Sequence, residues 1–138
     1  MVLVDTPVWS LALRRRTVDL SAAERSLTQV LYDLVRQNQV QLLGSIRQEV
    51  LSGIRLSSQF RRIRDHLRDF PNVEVDSADY EEAARISNEC RAAGIATSPT
   101  DMLMCSAAIR YGWRIFTTDR DFLHYQRVIR LDLFLPSL

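Results

Sequence analysis

The sequence contains no lysine: all 18 of its basic residues are arginine. A cluster of acids in this chain would therefore have no ammonium group to neutralise it. Glycine is scarce, with four in 138 residues, and none falls in a P-loop or GxGxxG arrangement, so a glycine-rich cradle for nucleotide phosphates is excluded. The two cysteines, Cys90 and Cys105, share no pairing or metal-ligand spacing. Both are expected to be reduced and buried, which argues against a disulfide scaffold and for a cytoplasmic setting. The two histidines, His66 and His124, have no ligand spacing to a partner and are expected at the surface or in packing. No apolar run approaches the roughly 20 residues of a membrane span. The opening MVLVDTPVW lacks the basic flank of a signal peptide and carries an aspartate at position 5.

What is present is ordinary globular material. Apolar residues make up 46% and charged residues 25% of the chain, enough for one domain, 1–138, with a core of its own. The formal net charge is +1. Arginine forks onto phosphates and stacks on bases, so an all-arginine chain suits RNA, although a GC-rich genome gives the same bias. No internal repeat, low-complexity segment or interdomain linker is visible.

Short apolar runs alternate with helical patterns along the chain. Val2-Leu3-Val4 reads as a strand ending at Asp5. Thr6-Pro7 then reads as an N-cap with proline at the first helical position, opening a helix to about Leu13. Ser21-Ala22-Ala23-Glu24 has capping-box spacing and starts a long amphipathic helix with Leu27, Val30, Leu31, Leu34 and Val35 on one face. Val40–Leu43 is a second strand stopped by Gly44. Ser45-Ile46-Arg47-Gln48 has the same capping-box spacing and is expected to open a helix with Glu49 in its first turns. A further helix carries Phe60, Ile63, Leu67 and Phe70 inward and Arg61, Arg62, Arg64 and Arg68 mostly outward, until Pro71. Val73–Val75 reads as a strand, Asp76–Ala93 as a helix stopped by Gly94. Ser98-Pro99-Thr100-Asp101 is a helix start that puts Met102, Cys105 and Ile109 on one face. Ile115–Thr118 reads as a strand, followed by a turn of helix and a last strand near Val128–Leu131. The alternation predicts an α/β fold: a three-layer αβα sandwich around a central, mostly parallel sheet of about five strands.

In such a sheet, strand ends and the helix starts that follow them share one edge, and ligands bind there. Asp5 and Asp119 each follow an apolar strand; Glu49 and Asp101 are expected in the first turns of helices. Singly, each has an ordinary explanation. An acid in a first turn offsets the helix dipole by about 0.3–1 kcal/mol, and aspartate at a strand end is common turn chemistry. Together they do not, because carboxylates about 4 Å apart repel by roughly 4 kcal/mol at an effective dielectric near 20. No arginine lies beside Asp5 or Asp101 in sequence. A hard divalent cation, Mg²⁺ or Mn²⁺, is the economical counter-charge. Held by carboxylates, it binds phosphate oxygens, activates water and stabilises a leaving oxygen. Phosphodiester hydrolysis is the leading chemistry.

Four motifs carry a resemblance. Val2-Leu3-Val4-Asp5-Thr6-Pro7-Val8-Trp9, Glu49-Val50-Leu51-Ser52-Gly53, Asp101-Met102-Leu103-Met104-Cys105-Ser106-Ala107-Ala108 and Thr117-Thr118-Asp119-Arg120-Asp121-Phe122 occur in that order. The sequence resembles the PIN-domain ribonucleases, specifically the VapC-type toxins of bacterial toxin–antitoxin pairs, over nearly its whole length. The resemblance implies that Asp5, Glu49, Asp101 and Asp119 are the catalytic, metal-binding quartet, with Thr6, Thr117 and Asp121 as accessories. It also implies an RNA substrate, a homodimer and a VapB-like antitoxin. Pro7 stands where the family often has a small hydroxyl residue, and Met104, Cys105 and Ser106 replace Ile-Ala-Ala. Arg14, Arg15 and Arg16 are candidates for following the RNA backbone. Open alternatives are a PIN nuclease of RNA maturation and a PIN-like scaffold that cleaves nothing. A signalling receiver, which also gathers aspartates around Mg²⁺, uses a lysine that this chain does not have.

Overall fold

The computed structural model describes residues 1–136. The chain alternates short strands and helices: β1 (Val2–Val4), α1 (Thr6–Leu13), a 3₁₀ turn (Thr17–Asp19), α2 (Ala22–Arg36), β2 (Val40–Gln41), α3 (Gly44–Leu51), α4 (Ser57–Leu67), α5 (Ser77–Ala92), α6 (Pro99–Tyr111), β3 (Arg114–Phe116) and α7 (Asp121–Tyr125). The sheet is parallel in the order β2-β1-β3. Val2 pairs with Val40 on one side and Arg114 on the other, and Val4 with Phe116. Helices flank this sheet: α1 packs on α2 and α3, α5 lies along α6, and α6 meets β3.

The sheet has three strands, not the expected five. The two missing strands survive as single parallel bridges, Leu42 with Asn72 and Ile115 with Leu133. On the first edge, Val73 donates to the Leu42 carbonyl, and the chain then enters the Asp76 cap of α5. On the second edge, Val128 and Ile129 both donate to the Tyr125 carbonyl, closing α7 with a turn instead of beginning a strand. The ladder contact comes later, through Asp132 and Phe134.

Buried side chains explain why these elements hold together. Leu3, Val4, Ile46, Val50, Ile63, Leu67, Ile86, Ile115 and Phe116 are almost fully shielded from water. Trp9 is in this core, edge-on to Phe70 at 5.2 Å between ring centroids. Met102 and Cys105 face inward as expected, whereas Ile109 is 42% exposed, because α6 buries the continuous run Met102–Ala108 and its last turn reaches the surface. Cys90 and Cys105 are free and buried. Gly94 and Gly112 follow α5 and α6 at φ +79° and +69°, the left-handed stop that glycine adopts without strain.

Helix starts divide into two kinds. Ser21 and Asp76 form complete capping boxes with Glu24 and Asp79. The expected box at Ser45 does not form. Instead Leu43 holds the cap position, two residues before Ser45, with no side-chain cap, and among the described residues the Ser45 hydroxyl is buried without a partner. Similarly, Asp5 rather than Thr6 is the N-cap of α1. Ser21→Ala should thus cost about 1 kcal/mol in chemical denaturation, whereas Ser45→Ala should cost nothing or stabilise slightly. An equal loss for both would mean that Ser45 does cap α3.

Candidate active site

All three strands point the same way, so Asp5 after β1, α3 after β2, and Thr117–Asp121 after β3 share the carboxyl edge of the sheet. The N-terminus of α6 brings Asp101 to the same edge. Asp101, Asp119 and Asp121 each offer a carboxylate oxygen, and the three oxygens lie within 4.8 Å of one another, so these residues could hold a metal ion. The carboxyl of Asp5 feels the charges of Asp101 and Glu49, and that of Asp101 feels Asp119 and Glu49. The four acids singled out in the sequence therefore converge. Asp121 joins the tightest group, beyond the accessory place expected for it.

Each acid is held by a short hydroxyl or amide contact. Asp5 is 4% exposed; its Oδ1 accepts from the Thr6 amide at 2.8 Å and its Oδ2 from the Thr117 hydroxyl at 2.7 Å. The Thr117 hydroxyl accepts from the Asp119 amide at 2.9 Å, and Asp119 Oδ1 from the Asp121 amide at 2.9 Å. Thr6 donates its hydroxyl to Glu49 Oε2 at 2.6 Å. Glu49 lies in the second half of α3, not in its first turns. There the helix dipole opposes a carboxylate, so the dipole gives no reason for an acid at this position.

One contributor was not legible in the sequence. Tyr125, on α7, donates its hydroxyl to Asp101 Oδ2 at 2.7 Å, while Ser98, expected to open this helix, caps α6 by accepting from the Asp101 amide at 3.2 Å. Tyr125 sits four residues after Asp121, one turn along a helix. That spacing was the available signal, but only the fold shows the ring turned toward Asp101. Arg14, Arg15 and Arg16 do not join the acids. They follow α1, whose eight residues separate them from Asp5 by about 12 Å along the helix axis.

Among the described residues, none of the five acids has an arginine within ion-pair distance; the ion pairs all lie elsewhere. Arg120, between Asp119 and Asp121, is exposed and pairs with neither. Arg47, two residues before Glu49, donates to Asn72 and to the Leu67 and Phe70 carbonyls, closing the end of α4. Desolvation consequently dominates at Asp5 and pushes its pKa up to about 6, against the lowering by the Thr117 and Thr6 hydrogen bonds. Asp101 is raised as well, first by burial and then by Asp119 and Glu49, despite Tyr125 and its place in the first turn of α6. An all-oxygen donor set that runs from buried Asp5 through half-buried Asp101 and Asp119 to exposed Glu49 and Asp121, with no arginine to compensate it, fits a hard divalent cation. A cleft of about 560 Å³ opens beside Asp101 between α5 and α6, walled in part by Tyr80, Ser87, Thr100 and Leu103.

The chain matches the PIN domain family over residues 2–128. It belongs to that family. Among solved structures the PIN chain resembles VapBC2 from Rickettsia felis bound to a promoter DNA fragment, at 16% identity and a TM-score of 0.72, covering 97% of this chain and 98% of that one. It resembles FitAcB from Neisseria gonorrhoeae at 17% identity and a TM-score of 0.73, covering 98% and 97%. A toxin–antitoxin complex from Klebsiella pneumoniae follows at 18% identity and a TM-score of 0.66, covering 88% and 90%. At these identities the likeness is one of fold. Among curated proteins no significant match is found. No described helix is long and apolar enough to cross a membrane.

An acid whose folded pKa lies above its unfolded value binds its proton more tightly when folded. The PIN chain without metal should then lose stability as pH rises from about 4 through about 6, by about 3 kcal/mol for Asp5 alone. Asp101→Asn keeps an acceptor for Tyr125 and removes one repelling charge. It should raise the Tm of the metal-free protein at pH 8, with the gain fading near pH 4; a lower Tm at pH 8 would assign Asp101 to helix capping. Tyr125→Phe should weaken Mn²⁺ binding by about 10-fold or more, read from the Tm shift with added ion.

Proposed function

We propose that this PIN-domain chain is a metal-dependent endoribonuclease acting as the toxin of a toxin–antitoxin pair. PIN domains are generally nucleases, and the family match supports a hydrolase of that kind. The observation that carries the reading is the convergence of Asp5, Glu49, Asp101, Asp119 and Asp121 with no arginine in ion-pair range among the described residues. One relative of like fold is a toxin–antitoxin complex and another is VapBC2 bound to promoter DNA, which supports an antitoxin of the VapB type as partner; a homodimer and a cytoplasmic setting complete the proposal.

Asp5, Glu49, Asp101 and Asp119 would hold Mg²⁺ or Mn²⁺, with Asp121 alongside. Such an ion, when bound, polarises a phosphate oxygen and lowers the pKa of water. The chain's own groups do the positioning. Thr117 fixes Asp5 and the Asp119 backbone together, and Thr6 fixes Glu49. Tyr125 and Ser98 fix the Asp101 carboxylate and amide. One carboxylate, Asp119 or Asp121, would hold the attacking water. Pro7, where the family often has a hydroxyl residue, leaves Thr6 as the hydroxyl that donates to Glu49.

Purified protein should cut single-stranded RNA in Mg²⁺ or Mn²⁺, stop in EDTA, and lose cleavage as Asp5→Asn or Asp101→Asn. Expressed in a bacterial host, the wild type alone should arrest growth and leave new RNA ends. Undiminished cutting in EDTA or by both variants would refute the metal-carboxylate reading.

A further inference from the structure

We propose that Arg14, Arg16 and Arg62 form a pocket for a backbone phosphate of the RNA strand, away from the acids that handle the cut; the choice of RNA rests on the nuclease reading above. Arg14–Arg16 follow α1, and Arg62 comes from α4, whose arginines the sequence pattern places mostly on an outer face. In the fold they are not scattered. Arg14, Arg15, Arg16, Gln59 and Arg62 wall one cleft of about 430 Å³.

Their charges are uncompensated. Arg15 has Glu24 at 3.7 Å, but Arg14, Arg16 and Arg62 have no carboxylate within ion-pair distance among the described residues. Three unpaired guanidinium groups around one concavity repel each other, and an anion with several acceptor oxygens relieves all three. Gln59 adds an amide donor to the same wall.

Position selects the anion. A second cleft, of about 370 Å³, runs beside α1 with Pro7, Ser10 and Leu11 on its wall. Arg15 belongs to both clefts, and Thr118 lines the second one just before Asp119. The two clefts thus meet at Arg15, and the second, whose wall also carries Glu24 and Leu27, reaches Thr118, the residue before Asp119. An acidic peptide could satisfy the arginine end, but the carboxylates at the other end would repel it. A phosphodiester strand suits both ends: one phosphate lies at the acids with their cation, and another lies among the guanidinium groups.

The test is binding of a single-stranded RNA oligonucleotide in EDTA, across a range of salt, by wild type, Arg62→Gln and Arg61→Gln. Arg61 neighbours Arg62 on α4, is exposed, and lines neither cleft. Arg62→Gln should weaken binding several-fold and flatten the slope of log K against log salt by about 0.7, one single-strand phosphate contact. Arg61→Gln should move neither nearly as much. Equal effects of the two variants, or no effect of Arg62→Gln, would overturn the pocket. So would unchanged RNA binding alongside weaker binding of an acidic peptide. Cutting by the wild type with no Arg62 effect would remove the pocket and leave the nuclease. An Arg62-dependent RNA complex that is never cut would do the reverse.

Discussion

Burial of carboxylates without a counter-charge is the constraint around which this PIN domain is built. Asp5 is nearly sealed from water and feels the charges of Asp101 and Glu49. Hydrogen bonds from Thr117 and the Thr6 amide offset part of the cost, but burial outweighs them. A fold selected for stability alone would place an arginine at this edge, and the chain has 18 to choose from. It uses them elsewhere: Arg47 closes α4, Arg85 bridges Glu82 and Glu89, and Arg110 reaches Asp79. A cluster left open in this way is one that a cation would relieve, and that the folded chain without a cation holds at a cost.

The parallel sheet makes the convergence possible at low cost in chain length. Three strands of two or three residues suffice, because each needs only to carry its end to the common edge. Asp5 serves twice there. Its backbone and Oδ1 cap α1, and its Oδ2 receives the Thr117 hydroxyl from the far side of β3. One residue thereby ties the first strand to the last, and local helix chemistry and site assembly become a single arrangement. The outer strands have no such task, and they are reduced to the bridges at Asn72 and Leu133.

Much of this was legible in the residues. The α/β alternation, the capping box at Ser21, the glycine stops and the meeting of Asp5, Glu49, Asp101 and Asp119 follow from local patterns plus the rule that parallel strands share an edge. The misreadings share a cause. Ser45 has the right spacing for a cap, but packing starts α3 at Gly44, so Glu49 falls late in the helix. Val73–Val75 and Val128–Leu131 have strand-like composition, yet pairing depends on where neighbouring segments end. Tyr125 was invisible because its contact with Asp101 crosses between two helices, and no spacing rule connects them.

A net charge of +1 hides a molecule with two charged ends. Carboxylates gather at the start of α1, and beyond its last turn gather arginines that, among the described residues, have no carboxylate partner. Neither end is neutralised by its own side chains, and the missing lysine leaves only rigid, forked guanidinium groups at the basic end. A compact chain with free choice of placement would interleave such charges, since each end raises the energy of the folded state by itself. On the proposed reading the neutralising groups arrive from outside: a divalent ion at one end and phosphate at the other. The direction from one end to the other would then fix which way a polyanion lies across the acids, before any base is read.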